Sequence, residues 1–191
     1  MSSSFGTKCL IFLFVAVGCY HSANAQVFTL AQCPTVQVIS PFDADRYLGT
    51  WYNNRNYFAI FQAGLDCITA NYAKNSDNIT VTNTGFKIIK RTKQVALGSA
   101  RVVEPGKLIV NFPGSPSSQT PNYLILDTDY DNYAVVWSCS NLGPVSLRFA
   151  WILTRAEVPT STNVNKALAV FQSYAINVNK LKVTNHNNCP T

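Results

Sequence analysis

The chain has 191 residues, and its fifteen lysines and arginines face nine acidic residues, giving a formal net charge of +6. This length is enough for one domain with a substantial core, and the dispersed basic surplus does not favour a nucleic-acid-binding protein. After the N-terminal region, no segment approaches the roughly 18 uninterrupted apolar residues of a membrane-spanning helix, so the sequence predicts a soluble mature protein.

The N-terminal residues have the organisation of a secretory signal peptide. Lys8 precedes a compact apolar run over residues 10–17, and Ala23-Asn24-Ala25 supplies a cleavage pattern of small residues. The apolar run is too short to span a bilayer. We therefore predict that residues 1–25 are a signal peptide and that residues 26–191 form a single secreted, extracellular domain. Loss of Lys8 lowers the net charge from +6 to +5.

Four of the six cysteines lie after the predicted signal peptide. An even number of cysteines in an oxidising compartment predicts two disulfides, and their spacing alone permits three pairings. No metal site is expected, because no Cys-x-x-Cys motif occurs and His186 is the one histidine after residue 25. The four cysteines are Cys33, Cys67, Cys139 and Cys189.

After an irregular segment over residues 26–45, eight strand-like runs recur at regular spacing, joined by turn residues. Between the sixth and seventh runs, residues 127–132 form a turn whose side chains bond their own backbone. The pattern indicates an antiparallel meander, either closed as a barrel or folded as a sandwich. The predicted strands are Tyr47–Tyr57, Cys67–Tyr72, Ile79–Asn83 with Ile88-Ile89, Val95–Val103, Leu108–Val110, Tyr123–Leu126, Tyr133–Cys139 and Leu147–Thr154.

After Pro159 the hydrophobic period becomes helical, and residues 160–163 supply candidate N-caps. We predict one amphipathic helix whose apolar face docks against the outside of the strands, with its apolar side chains packing rather than contacting a ligand. These side chains are Val164, Ala167, Leu168, Phe171 and Tyr174.

Three short motifs lie far apart in the chain, namely Gly49-Thr50-Trp51, Thr128-Asp129-Tyr130, and Arg155 at the end of a strand-like run. Together, in this order and followed by a helix, they resemble the signature of the lipocalin family. The resemblance implies an all-β fold, an eight-stranded antiparallel up-and-down barrel with one C-terminal α-helix packed outside. It also implies that the motifs close one end of the barrel, with the Arg155 guanidinium stacked on the Trp51 indole. This role is structural, and no catalytic residue is expected.

Within lipocalins, the resemblance is to the apolipoprotein D, insect bilin-binding and Lazarillo-like group. It implies the disulfides Cys33–Cys139 and Cys67–Cys189. The segments that carry it are Tyr47–Tyr52, Cys67–Tyr72, Tyr133–Cys139, Phe149–Leu153 and Asn188–Pro190.

An eight-stranded barrel has room for one small ligand when its interior side chains leave space. By resemblance, Tyr72, Asn83 and Tyr123 match pocket positions of this group. Phe149 and Trp151 join them because they share the inward face of the last strand with Arg155. The alternative, that these aromatic side chains merely fill the barrel, stays open.

The leading hypothesis is a secreted carrier of a small hydrophobic ligand, such as a bilin, retinoid, fatty acid or sterol-like molecule. It needs no cofactor, although bound biliverdin would make it a colour protein. The alternative is a signalling or interaction protein whose pocket is secondary. An enzyme is not expected, because a catalytic thiol would have to be free and all four cysteines are expected in disulfides. Haem transport is disfavoured because His186 lies beyond the strands.

Three further features concern partners. Tyr57–Phe61 is an apolar run expected in the first loop at the open end, where it forms a lid, contacts a membrane, lipoprotein or protein partner, or folds back over the rim. Asn78-Ile79-Thr80 is the one N-glycosylation sequon. A basic group at residues 87–93 is either a solvated hairpin face or a patch for an anionic membrane or nucleic acid. No nucleic-acid partner is expected for a secreted chain, which we predict to be a monomer or weak oligomer.

Overall fold

Ten strands and two α-helices follow one another along residues 27–76 and 78–190, which the computed structural model describes. The predicted signal peptide lies outside these residues. The strands are β1 (Val27–Thr29), β2 (Gly49–Asn56), β3 (Leu65–Asn75), β4 (Asn78–Lys87), β5 (Thr92–Glu104), β6 (Lys107–Asn111), β7 (Tyr123–Thr128), β8 (Tyr133–Leu142), β9 (Val145–Thr154) and β10 (Lys182–Val183), and the helices are α1 (Ala44–Tyr47) and α2 (Ser161–Ser173).

Strands β2 to β9 form a closed antiparallel barrel. Each strand pairs with the next in sequence, and β9 returns to pair with β2 through Tyr52↔Thr154 and Asn53↔Leu153. Closure satisfies the backbone groups that an open sheet would leave at its edges. The predicted eight-stranded up-and-down barrel is therefore confirmed, and the sandwich is excluded. The short strands β1 and β10 extend the sheet beside β9 and β2.

The barrel has a closed end and an open end. The closed end is where β2 begins and β9 ends, and it carries α1 and the turn at residues 129–132. The open end carries the loops over residues 57–64, 88–91, 112–122 and 143–144. Because consecutive strands alternate in direction, motifs distant in sequence meet at one end.

The strand predictions fail mainly at element ends. Tyr47 was predicted to start the first strand, but it ends α1, whose N-cap Asp43 accepts a hydrogen bond from the Arg46 amide at 3.0 Å. The Ile88-Ile89 run was assigned to the third strand, but it lies in the turn after β4. Apolar character alone predicted that strand, and no partner strand reaches the hairpin tip. Thr128 ends β7 rather than lying in the following turn.

Two apolar clusters lie on opposite faces of the barrel wall. The interior cluster includes Trp51, Tyr72, Val81 and Leu153. The outer cluster lies beneath α2, where Phe171 packs on Trp137 with ring centroids 6.4 Å apart. Alternation along each strand sends successive side chains to the two clusters in turn.

Helix α2 packs outside the barrel, as predicted. The side chain of its N-cap, Thr160, accepts a hydrogen bond from the Asn163 amide at 3.4 Å. Val164, Ala167 and Phe171 are buried, and full burial of a side chain such as phenylalanine contributes about 1.5–3 kcal/mol. No helix within the described residues is long and apolar enough to cross a membrane.

Two disulfides link the open half of the barrel to the terminal segments. Cys33 in the N-terminal segment joins Cys139 on β8, across 106 residues of sequence. Cys67 near the start of β3 joins Cys189 in the C-terminal tail, across 122 residues. These are the pairings implied by the lipocalin resemblance.

Candidate functional site

Arg155 and Trp51 stack face to face at the closed end, with the guanidinium carbon 3.7 Å from the indole ring centroid. Arg155 also donates to four backbone carbonyls, from Nε to Tyr130 (2.9 Å), from Nη1 to Thr50 (2.9 Å), and from Nη2 to Arg46 (2.9 Å) and Leu48 (2.8 Å). The planar guanidinium suits both contacts, since its face meets the ring while its edge donates.

Gly49 leaves room for this arrangement. Its φ is +92°, and a Cβ there would lie 3.3 Å from Arg155 Nη1. A side chain at this position would be strained and would crowd the guanidinium. The glycine of the first motif is therefore explained by the arginine of the last.

The Thr128-Asp129-Tyr130 motif organises the neighbouring turn. Thr128 Oγ1 donates to the Tyr133 carbonyl at 2.6 Å and accepts from the Tyr130 amide at 2.9 Å. Asp129 accepts from the amides of Asn132 and Tyr133 at 2.8 and 3.0 Å. Partial burial raises the pKa of the Asp129 carboxyl, but these hydrogen bonds outweigh it and lower the pKa below its ordinary value. The turn is thus held mainly by its own side chains.

Seven aromatic rings form an unbroken column from the closed end to the open rim. Neighbouring ring centroids lie 5.2 to 6.5 Å apart along the whole column. The predicted pocket residues Phe149 and Trp151 are stacked at an interplanar angle of 8°, and Tyr123 also stacks with Trp151, at 22°. In order, the column is Trp51, Tyr47, Tyr72, Tyr123, Trp151, Phe149 and Phe61.

Three tyrosine hydroxyls meet within this column. Tyr123 Oη lies 2.9 Å from Tyr47 Oη and 2.7 Å from Tyr72 Oη. Burial raises the pKa of Tyr72 to about 12, and burial together with the neighbouring tyrosines raises the pKa values of Tyr47 and Tyr123 well above the ordinary value. All three phenols are therefore neutral at physiological pH. We call this group the tyrosine triad.

The sequence prediction placed Tyr72 and Tyr123 in one site but missed Tyr47, whose position depends on α1. Asn83, the other predicted pocket residue, lies two and four residues beyond the buried interior side chains of Val81 and Ile79 on β4. It therefore occupies an inward position and is half-buried. No hydrogen bond among the described residues joins it to the triad.

A polar chain on β2 was also missed by the sequence analysis. Asn53 donates to Asn56 Oδ1 at 3.1 Å, and Asn56 Nδ2 donates to the Tyr57 carbonyl at 2.6 Å and to Gln62 Oε1 at 3.3 Å. Gln62 Oε1 also accepts from Trp151 Nε1 at 3.2 Å. A bulge between residues 53 and 55 turns both asparagines inward, so simple alternation misplaces one of them.

The polar chain leaves one acceptor without a partner. Because the Tyr57 carbonyl only accepts, it fixes the orientation of the Asn56 amide, which in turn directs Asn53 Nδ2 toward Asn56. Asn53 Oδ1 is buried and has no hydrogen-bond partner among the described residues. Asn53 lies opposite Leu153, a member of the interior cluster, so this acceptor belongs to the inward face.

The predicted rim loop divides into two parts. Tyr57 and Ala59 are buried, and the Tyr57 hydroxyl donates to the Asn177 carbonyl at 2.8 Å. Ile60 and Phe61 are 64% and 59% exposed. One part of the run therefore folds back against the barrel while the other meets solvent.

One group of metal-ligating residue types occurs within the described part of the chain, at Glu157, His186 and Cys189, whose ligand atoms lie within 4.8 Å of one another. The Cys189 sulfur is bonded to Cys67, so it cannot act as a thiolate ligand. His186 Nε2 lies 3.0 Å from the Asn53 carbonyl and must donate to it. One carboxylate and one imidazole nitrogen remain, fewer than the ligands of a protein zinc site.

Comparisons with known proteins agree with this geometry. The family described as "Lipocalin-like domain" matches residues 42–186. The chain is 36% identical over 186 residues to apolipoprotein D of Mus musculus, covering 95% of this chain and 96% of that protein. It is 33% identical over 159 residues to the Lazarillo protein of Schistocerca americana, covering 80% of this chain and 73% of that protein.

Solved structures show the same fold at lower identity. Insecticyanin from the tobacco hornworm Manduca sexta matches with a TM-score of 0.76 and 19% identity, covering 86% of this chain and 91% of that chain. Lobster apocrustacyanin A1 matches with a TM-score of 0.74 and 22% identity, covering 84% and 92%. The family match and the long alignments to these relatives show that the chain belongs to the lipocalin family, in the group of apolipoprotein D and the Lazarillo protein.

Proposed function

We propose that this lipocalin is a secreted carrier that binds a small hydrophobic molecule inside its barrel, against Tyr72, Tyr123, Trp151 and Phe149, with Asn83 facing the same interior from β4. The observation that carries the proposal is the aromatic column. Tyr123, Trp151 and Phe149 face inward yet are only partly buried, whereas side chains that merely filled the barrel would be buried like Trp51. Partly exposed aromatic surface inside a barrel suits an apolar ligand.

Secretion rests on a separate argument. Disulfides persist in oxidising compartments and are rare in the cytosol, and two are present here. The predicted signal peptide, residues 1–25, would direct the chain into the secretory pathway. The same disulfides occupy all four cysteines after residue 25, so the thiol nucleophile that an enzymatic alternative would need is not available. We therefore propose binding without catalysis.

Ligand titration of matched variants tests the carrier proposal. Nile red, a neutral apolar dye, should bind the wild-type protein and be displaced by lipids. Trp151→Ala should weaken binding about tenfold or more, because it interrupts the column at its middle, while Trp151→Phe should retain much of the affinity. Val158→Ala is the control, because Val158 is 84% exposed and lies beyond the closed end of β9, away from the proposed site. If the wild-type protein binds no dye, lipid or bilin, that result contradicts the carrier proposal.

The biliverdin-binding alternative has a direct readout. A bound tetrapyrrole absorbs visible light, so natively isolated protein would be blue or green. Colourless protein that carries a lipid, identified by mass spectrometry of an organic extract, would select the lipid-carrier branch. The name apolipoprotein D of the aligned relatives supports that branch.

A second function is favoured by the surface of the open end, which combines exposed apolar and cationic side chains. None of the three ion pairs formed within the described residues uses the cations of the β4–β5 hairpin, so these charges are available to an anionic surface. We propose that the rim contacts anionic lipid bilayers, with apolar side chains entering the interface. The apolar side chains are Phe28, Leu30, Ile60, Phe61, Ile88, Ile89 and Leu142, and the cations are Lys87, Lys90, Arg91 and Lys93.

Vesicle co-sedimentation tests the rim. Binding should increase when phosphatidylserine is added to phosphatidylcholine vesicles and should fall with salt. Ile89 is 98% exposed at the hairpin tip, so Ile89→Asp should weaken binding at least fivefold. Val158→Asp is the matched control, because Val158 is 84% exposed beyond the closed end of β9. Equal binding to both vesicle types would leave the solvated hairpin face as the correct interpretation.

We also propose that Asn78 carries a glycan. It is exposed at the first residue of β4, where a glycan would point away from the open rim. Protein made through a secretory pathway should lose mass on enzymatic deglycosylation, and Asn78→Gln should abolish that change. An unchanged mass in the wild-type protein would contradict the assignment.

A further inference from the structure

The tyrosine triad contains one hydroxyl hydrogen more than its own bonds can use. Three neutral phenols carry three hydrogens, and the two contacts to Tyr123 use two of them. Whichever way these bonds run, one hydrogen is left over. No other hydrogen bond of these hydroxyls is formed among the described residues. The interior therefore offers one donor that lacks an acceptor.

The position of Tyr123 makes this donor relevant to a ligand. Tyr47 and Tyr72 are buried, but Tyr123 is partly exposed on the inward face and stacks on Trp151 in the middle of the column. A molecule lying along the column would therefore pass the triad. A buried donor without an acceptor is unfavourable, and a ligand oxygen at this point would satisfy it.

The wall around the triad is electrically neutral. The strand registers assign inward positions on β2 to β9. Between the layer of Trp51 and the rim, the described inward positions hold aromatic, aliphatic, small and amide side chains, and the first charge is Lys87 at the end of β4. Arg155 lies against the Trp51 indole at the closed end, where four of its five N–H groups donate to backbone carbonyls, so it is not positioned to pair with a ligand beside the triad.

Asn53 makes the same wall less favourable to an anion. Its Oδ1 is an acceptor with no donor, on a side chain that is 2% exposed. A carboxylate brought into the interior would meet this lone pair and no cation, and an ionised group without a partner is expensive to bury. A neutral oxygen avoids that cost and still accepts from the triad.

We propose that the tyrosine triad selects ligands whose buried part is uncharged and carries an oxygen acceptor, so esters, ketones, aldehydes and alcohols bind in preference to free carboxylates. The proposal rests on the proposed carrier function and narrows its ligand class. It disfavours fatty acids that bury their carboxylate at the triad, and bilins oriented with their acid groups inward.

Three compounds of equal chain length separate the contributions. Methyl dodecanoate is neutral with an acceptor, dodecanoic acid is ionised at neutral pH, and dodecane has no oxygen. Competition against Nile red at about pH 7.5 should place the ester about tenfold or more tighter than the acid, and about three- to tenfold tighter than dodecane. As the pH falls toward about 4, the acid becomes protonated and should approach the ester.

Tyrosine-to-phenylalanine variants test whether the triad causes the preference for the ester. The combined Tyr47→Phe, Tyr72→Phe and Tyr123→Phe protein should bind the ester no better than dodecane, while dodecane binding and the circular dichroism spectrum report an intact barrel. Tyr174→Phe is the control, because Tyr174 follows α2 outside the barrel and reaches the Gln37 carbonyl at 3.4 Å. If the triple variant does not fold, the wild-type pH series still decides the question.

The outcomes distinguish the two proposals. Acid binding as tight as ester binding at neutral pH, or ester binding no tighter than dodecane, overturns the ligand-class proposal and leaves the carrier function standing. Failure of Nile red and of all three compounds to bind overturns the carrier function itself. An ester preference retained in a folded triple variant shows that another group supplies the donor.

Discussion

The closed and open ends of this barrel are held together by different chemistry. At the closed end, Arg155 stacks on Trp51 and donates to four carbonyls. The open half has no comparable centre among the described residues, and its stabilising links are the disulfides of Cys67 and Cys139. One end is closed by satisfied polar groups, and the other is tied covalently from outside.

This difference separates stability from binding. Hydrogen bonds directed inward at the mouth would compete with a ligand for space and for partners, whereas disulfides to the terminal segments leave the mouth free. On the inward face, unmet hydrogen-bonding capacity lies between the two ends, in the tyrosine triad and at Asn53 Oδ1. Interior groups that the fold leaves unsatisfied are the ones available to a ligand.

The largest expected effect comes from removing a disulfide. Cys67→Ser with Cys189→Ser should lower the free energy of unfolding by about 5 kcal/mol, since the bridge spans 122 residues and restricts the unfolded chain. Cys33→Ser with Cys139→Ser, across 106 residues, should cost nearly the same, because the entropy depends only on the logarithm of loop length. Urea denaturation of the two variants measures both losses.

Unequal losses of stability would show that the two disulfides do not support the open half equally. A gap of more than about 1 kcal/mol between the two variants cannot come from loop length and would identify one bridge as the main support of the mouth. Losses below about 1 kcal/mol in both would contradict the view that the open half depends on its crosslinks. Ligand affinity of each folded variant would then show whether the bridges also shape the site.

The second effect concerns the closed end. Arg155→Lys should lower the free energy of unfolding by about 3–4 kcal/mol, because lysine keeps the charge but cannot stack on the Trp51 indole while donating to several carbonyls. Arg101→Ala is the control, since Arg101 is exposed on β5 and should change stability by less than about 0.5 kcal/mol. Thermal or urea unfolding measures both changes. Equal losses of stability in Arg155→Lys and Arg101→Ala would contradict the central role of Arg155.

The sequence was sufficient to predict the barrel, the outer helix and the closed end, because each depends on a periodic pattern or a motif. It did not predict the tyrosine triad, since Tyr47 reaches the interior from α1 and was assigned to a strand. Nor did it predict Asn53 beside Asn56, because a bulge changes which side chains face inward. Local irregularities have no period, so the details of the site were the part that alternation could not supply.

The third effect tests the interior that lies between the two ends. Burial raises the pKa of Tyr72 to about 12, while the unfolded value is near 10. The folded state therefore retains the Tyr72 proton at a higher pH than the unfolded state does. The contribution of this protonated phenol to the free energy of unfolding is fully present below about pH 10 and is lost as the pH rises toward about 12. The loss from Tyr72 should be about 2–3 kcal/mol.

Urea unfolding between about pH 9 and 12 measures this loss against Tyr72→Phe, which removes the titrating group. The wild-type protein should lose stability more steeply than the variant across this range. Parallel curves would mean that the triad is hydrated and ionises like free tyrosine, which would also remove the buried donor from the ligand proposal.

The smallest effect returns to the closed end. Hydrogen bonds lower the pKa of Asp129, so its contribution is present above the unfolded value of about 3.9 and is lost as pH falls through the lower folded value. Asp129→Asn should cost about 1 kcal/mol at pH 7, and this cost should shrink below about pH 4. Asp45→Asn is the control, because Asp45 meets Lys74 in an exposed ion pair that contributes little. A cost for Asp129→Asn that stays constant down to about pH 2 would show that the turn depends on the shape of the side chain rather than on its charge.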